Sequence, residues 1–227
     1  MGSFDVTMIR DIVVVLVPMI LSLTVHEFAH AWSAHKLGDD TALAAGRMTL
    51  NPLPHIDLFG TILLPIISVV TGGIGFIAWA KPVPVSPYRF KRTVTMRTGM
   101  MITALAGPAS NLVLAFLVCG ALMLIDRLGL GGGGDGGDLA QKGRMSVDLL
   151  LGRIFFMNIG LAVFNMLPIP PLDGSRMLPQ AWQERMARYS LVVFFAFILA
   201  INFIGGILTV PVVLIGKAIM SFWSLFF

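Results

Sequence analysis

Apolar positions fall into six runs, separated by polar or Gly- and Pro-rich stretches, at about 12–32, 61–70, 99–125, 147–167, 191–204 and 207–226. A spanning helix needs about 20 such residues, and several of these runs approach that length. The run at 61–70 holds only about ten and contains Pro65, so it reads as a re-entrant or short buried helix. FIAWAKPVPVS (76–86) spaces its prolines so that it cannot be helix interior; it reads as an extended, strand-like piece or as an ordered turn. GLGGGGDGGD (129–138) is a low-complexity flexible linker. The pattern predicts an all-α polytopic membrane protein. It has about five to six transmembrane helices, a re-entrant or short segment near 61–73 and a small strand-like insertion near 76–86. One membrane-embedded domain over 1–227 is expected, with a core over about 10–180 and a C-terminal helical hairpin over about 188–227.

Composition excludes the soluble alternative. The chain is 56% hydrophobic and 12% charged, and its mean hydropathy is +0.87. The N-terminus lacks a basic stretch and a small-residue cleavage site, so the first run is not read as a removed signal peptide. Cys119 is the one cysteine, which excludes an intrachain disulfide and a thiolate metal cluster. The net charge of +4 is read as a topology signal, not as nucleic-acid binding.

Against this background the end of the first run is unexpected. LTVHEFAHAW places His26, Glu27 and His30 on what should be the last turns of a membrane helix. An ionisable side chain at bilayer depth costs about 2.5–3.5 kcal/mol on insertion scales and marks a functional site by default. The order is His-Glu-x-x-His. On a helix, positions i and i+4 lie one turn apart on one face, so two imidazoles reach one Zn²⁺ while Glu27 reaches its water. A chain of this composition, shuffled, contains the pattern about once in 1,600 trials.

A catalytic zinc site takes three protein ligands and keeps one position open. His35, His55, Asp39, Asp40 and Asp57 belong to polar loops, where His55 and Asp57 read as loop-ordering residues, and Glu184 lies in a charged linker. Asp173 follows the fourth apolar run in PIPPLDG, where a Pro-broken helix end lets a carboxylate turn inward. Spacing alone leaves two roles for it, third ligand or N-cap of a helix around 175–182.

HEFAH, GRMTLNPLPHIDLFGT, WAKPVPV, AGPASN and NMLPIPPLDG, in this order over about residues 22–180, resemble the site-2 protease family of intramembrane zinc metalloproteases. The resemblance implies His26, His30 and Asp173 as ligands of one Zn²⁺ and Glu27 as general base. It implies Asn165 as a catalytic contact to substrate or oxyanion and Asn111 as a further, substrate-binding position. It is closest to short bacterial and archaeal members, since the chain has no room for the PDZ or CBS domain that many relatives carry. The substrate it implies is a membrane-anchored protein or peptide, cleaved within or near its transmembrane segment.

Topology is consistent with that reading. For His26, His30 and Asp173 to share an ion, the first and fourth runs must be parallel, so one of the two intervening runs must turn back. Treating 61–70 as re-entrant puts ten Lys and Arg on the side of the HExxH end and five on the other. By the positive-inside rule that side is cytoplasmic, in a multi-pass protein of the cell membrane. The competing reading, a metal transporter or sensor with a His/Asp site, expects ionisable residues at several depths; the apolar runs hold them at essentially one.

Overall fold

A computed structural model of the chain describes residues 6–71, 78–129, 138–204 and 206–227, and every regular element among them is helical. Helix α1 spans Val6–Lys36. At 1.5 Å per residue its 31 residues reach about 46 Å, well beyond a hydrocarbon core of about 30 Å. His35 and Lys36 lie in its last turn, where positive charge complements the helix dipole. Gly38 then takes a left-handed φ of 105°. That lets the N–H groups of Gly38 and Asp39 close on the carbonyls of His35 and Ala34, both at 2.9 Å, which stops the helix.

A four-residue helix, α2 (Thr41–Ala44), follows. Asp57 then caps the wide turn Leu58–Leu63, its carboxylate accepting from the N–H groups of Phe59 and Gly60, and the turn runs on into α3 (Leu64–Val70). The apolar stretch Leu58–Val70 is too short to cross a bilayer. It is the short segment expected near 61–73, of which 72–73 lie outside the described residues.

Helix α4 (Met96–Arg127) starts at Thr95, whose side chain accepts from the Thr98 N–H. Helix α5 (Asp138–Asn165) follows; the linker expected over 129–138 falls, at 130–137, outside the described residues. Then come α6 (Gln180–Ala187), α7 (Ser190–Ile204) and α8 (Gly206–Trp223). Among the described residues four helices are long and apolar enough to cross a membrane: α1, α4, the Val147–Asn165 part of α5, and α8. The apolar runs at 61–70 and 191–204 are helical but short.

Helices α1, α4 and α5 pack against one another and hold the site. His30 of α1 bonds Thr103 of α4, whereas Ser22, two turns earlier, is bonded by Asn111, two turns later, so these helices are antiparallel. Asn158 of α5 meets Ser22, and Asp173, beyond the end of α5, meets His26 and His30. Helices α1 and α5 therefore run the same way. An apolar core of Ala115, Val118, Cys119, Ile154, Phe155 and Ile159 joins α4 to α5, and α8 closes over it with Val212, Ile215 and Trp223. Exposed residues such as Val113, Leu117 and Leu214 are apolar, as a lipid-facing surface requires.

The strand-like insertion near 76–86 is a correction. Residues 78–86 form no strand; 76 and 77 lie outside the described residues. Pro82, Pro84 and Pro87 lack N–H groups, and several of the donors that remain bond other segments. Lys81 N–H bonds the His55 carbonyl at 2.9 Å, Val83 N–H the Glu27 carboxylate at 2.8 Å, and Ser86 N–H the buried Asp39 carboxylate at 2.5 Å. The stretch is an irregular strap pinned against the C-terminal part of α1 and the turn that follows it.

Candidate metal centre

His26, Glu27 and His30 are 5%, 8% and 8% exposed, so their polar atoms must find partners within the protein. Each imidazole is held from behind. His26 Nδ1 lies 2.6 Å from Asn111 Oδ1, and His30 Nδ1 lies 2.7 Å from the Thr103 carbonyl. The Asn111 amide orientation is fixed, because its Nδ2 donates to the Ser22 carbonyl and to Asn158 Oδ1. Both Nδ1 atoms therefore face acceptors and carry the ring hydrogen, which leaves lone pairs on both Nε2 atoms.

Those two Nε2 atoms are 3.0 Å apart, and Asp173 Oδ2 lies 3.1 Å from one and 3.3 Å from the other. Asp173 Oδ2 is shut off from solvent and has no hydrogen-bond partner. Three lone-pair atoms converging without a hydrogen between them repel one another unless a cation sits among them. Two imidazoles and a carboxylate are a zinc donor set, and these residues are one group of His and Asp able to hold a metal ion.

Two glycines make the convergence possible. A Cβ on Gly107 of α4 would lie 2.4 Å from His30 Nε2 and 2.6 Å from His26 Cε1. One on Gly174 would lie 2.2 Å from the Met166 carbonyl oxygen, so the turn carrying Asp173 closes against the end of α5 only with glycine there. Asp173 opens a short 3-10 turn, Asp173–Met177, while α6 starts only at Gln180. Its side chain faces the histidines, and the N-cap role open at the sequence level is not what it does.

Glu27 is beside the pair but turned to the strap, its Oε2 accepting from Val83 N–H at 2.8 Å. Asn111, expected to contact substrate, is fully buried and its amide is saturated by His26, Ser22 and Asn158. Asn165 is half-buried at the last position of α5, with its Nδ2 donating to the Leu161 carbonyl at 3.0 Å. His55 bonds the Thr49 carbonyl and Asp57 caps a turn, both away from the cluster. Sequence reasoning missed Ser22, Asn158 and the Val83 N–H. A polar residue inside an apolar run was the available signal for Ser22 and Asn158.

With this geometry in view, the chain compares with known proteins as follows. The model of peptidase family M50 matches residues 133–203. The chain is 34% identical over 220 residues to "Putative zinc metalloprotease YwhC" of Bacillus subtilis, covering 93% of this chain and 91% of that protein. It is 35% identical over 162 residues to "Putative zinc metalloprotease Rip2" of Mycolicibacterium smegmatis, covering 71% of this chain and 54% of the relative. No solved structure matches the chain.

Proposed function

We propose, on the premise that this chain belongs to peptidase family M50 and is a zinc metalloprotease, that it cleaves membrane-anchored proteins or peptides within or near their transmembrane segments. The observation that carries the reading is the meeting of His26, His30 and Asp173, beside Glu27, at the end of a helix long and apolar enough to span a bilayer. In this reading those three residues hold the zinc. When bound, the ion supplies a Lewis acid for the scissile carbonyl and acidifies a water molecule.

The chain's own residues do the rest. Glu27 keeps Oε2 on the Val83 N–H, which leaves Oε1 to take a proton from water and pass it to the leaving amine. Asn165, one helix end away from the turn carrying Asp173, would donate to the developing oxyanion once its amide leaves the Leu161 carbonyl. Helical substrate amides are already hydrogen-bonded, so the substrate must unwind locally before attack. The excess of basic residues on the HExxH side supports a site facing the cytoplasm.

A metal transporter or sensor would carry ligand groups along a path. Among the described residues the His and Asp groups able to hold an ion form one cluster. The test is Glu27→Gln in purified protein reconstituted with a membrane-anchored substrate. The expected result is retained zinc with cleavage reduced by about 10²–10⁴-fold. Cleavage at the wild-type rate overturns the assignment.

A further inference from the structure

Behind the metal centre a fully satisfied polar network crosses the three central helices, and its remotest side chain is Asn158. Asn158 is completely buried in α5, whose nearby residues Ile154, Phe155 and Ile159 belong to the apolar core. Its Nδ2 donates to Ser22 Oγ and to the Ile154 carbonyl, both at 2.8 Å. That fixes its Oδ1 as the acceptor of a 2.7 Å bond from Asn111 Nδ2. Asn111 is thereby turned with its own Oδ1 towards His26 Nδ1, at 2.6 Å. Ser22 closes the network, its hydroxyl donating to the Pro18 carbonyl at 2.6 Å and its carbonyl accepting from Asn111 at 3.1 Å.

Read outward, the order is Asn158, Asn111, His26, ion. Each link is directional. Without an acceptor at Asn158 Oδ1, one Asn111 N–H is left unpaired in the buried interior, which is costly. The amide is then held by the Ser22 carbonyl and His26 alone, and its Oδ1 loses its fixed aim at His26 Nδ1. Without a firmly held acceptor at Nδ1, the ring hydrogen is no longer tied there and is free to sit on Nε2, the atom needed by the metal. Partners of this kind, behind a ligating histidine, set its tautomer and ring orientation.

We propose that Asn158 is a positioning residue for the metal site. It acts through Asn111 to hold His26 in the tautomer that leaves Nε2 free to ligate. The proposal rests on His26, His30 and Asp173 being the metal ligands. It does not depend on what the protein cleaves.

The test measures zinc affinity of purified full-length protein by competition with a chromophoric chelator, so it stands apart from any protease assay. Asn158→Leu, near in volume but without polar atoms, should weaken zinc binding by about 10–100-fold, the range for such outer partners. Asn111→Leu should do the same, and the double variant should lose little more than either single one, because the two act in series. Asn158→Asp keeps an oxygen to accept from Asn111 but loses the donors to Ser22 and Ile154, so it should bind zinc more tightly than Asn158→Leu and less tightly than wild type. Ile159→Ala, at a fully buried neighbour, controls for loosened packing and should lower the melting temperature without changing zinc affinity. With Co²⁺ in place of zinc, the visible spectrum should change in Asn158→Leu and not in Ile159→Ala. If Asn158→Leu does not fold, Asn158→Ser replaces it in the same cycle. The proposal is overturned by zinc affinity within threefold of wild type in the apolar variant. It is equally overturned by additive losses in the double variant, or by an equal loss in Ile159→Ala.

Discussion

Replacing Gly107 by alanine separates the stability of the helix bundle from the competence of its metal site. The new Cβ would lie 2.4 Å from His30 Nε2, 2.5 Å from His30 Cε1 and 2.6 Å from His26 Cε1. An ordinary carbon contact is about 3.5 Å, so both rings must give way by about 1 Å. A functional constellation tolerates about 0.5 Å, and a 1 Å displacement costs about 100-fold. Moving the rings also loosens the Nδ1 bonds to Asn111 and Thr103, each worth about 1 kcal/mol. Alanine in place of glycine inside a helix returns about 0.5–1 kcal/mol. The metal-free protein should therefore lose only about 1 kcal/mol, while zinc affinity falls by about 100-fold. Chelator competition gives the affinity, and melting curves with and without zinc give the stability. Zinc binding within threefold of wild type would show that the rings are not where the reasoning needs them.

Three further outcomes follow from the same contacts. Val83→Pro removes the N–H that holds Glu27 and suits the proline-rich strap; kcat should fall by about 10–100-fold with zinc affinity unchanged, in a cleavage assay paired with metal analysis. Asp173→Ala should take bound zinc from about one per chain towards none, by elemental analysis after dialysis, and undiminished zinc would remove Asp173 from the ligand set. Asp39 accepts from the N–H groups of Thr41 and Ser86 and from the Thr41 hydroxyl, so Asp39→Ala should release the strap. Amide exchange at Ser86 should then speed up, with an opening energy lowered by about 3 kcal/mol, while the protected core of α4 stays unchanged.

The candidate ligands were legible in the sequence because their chemistry conflicts with their surroundings. His26, Glu27 and His30 in an apolar run have no cheap structural reading, and Asp173 was found as the carboxylate beside a broken helix end. The elements that orient them were harder to see. Asn158 and Asn165 sit seven residues apart on α5, and the motif pointed to Asn165 alone, although burial and bonding make Asn158 the one tied to the site. Gly107 carries no chemistry of its own; its meaning is the absence of a Cβ against two rings, which appears only when α1 and α4 are packed. The strap misled for a similar reason. Alternating prolines suggested an edge strand, but whether a remaining N–H pairs with a strand or with Glu27 and Asp39 depends on contacts dozens of residues away.

The pairing of α1 with the turn beyond α5 also has a consequence for biosynthesis. His30 and Asp173 are 143 residues apart. At 5–20 residues per second, the ribosome needs about 7–30 seconds to pass from one to the other. During that interval α1 is made without the carboxylate that completes the proposed ligand set and without Asn158, the proposed support of Asn111. With the proposed ligand set, the metal site of a nascent chain is therefore complete only after the fourth apolar run has been made.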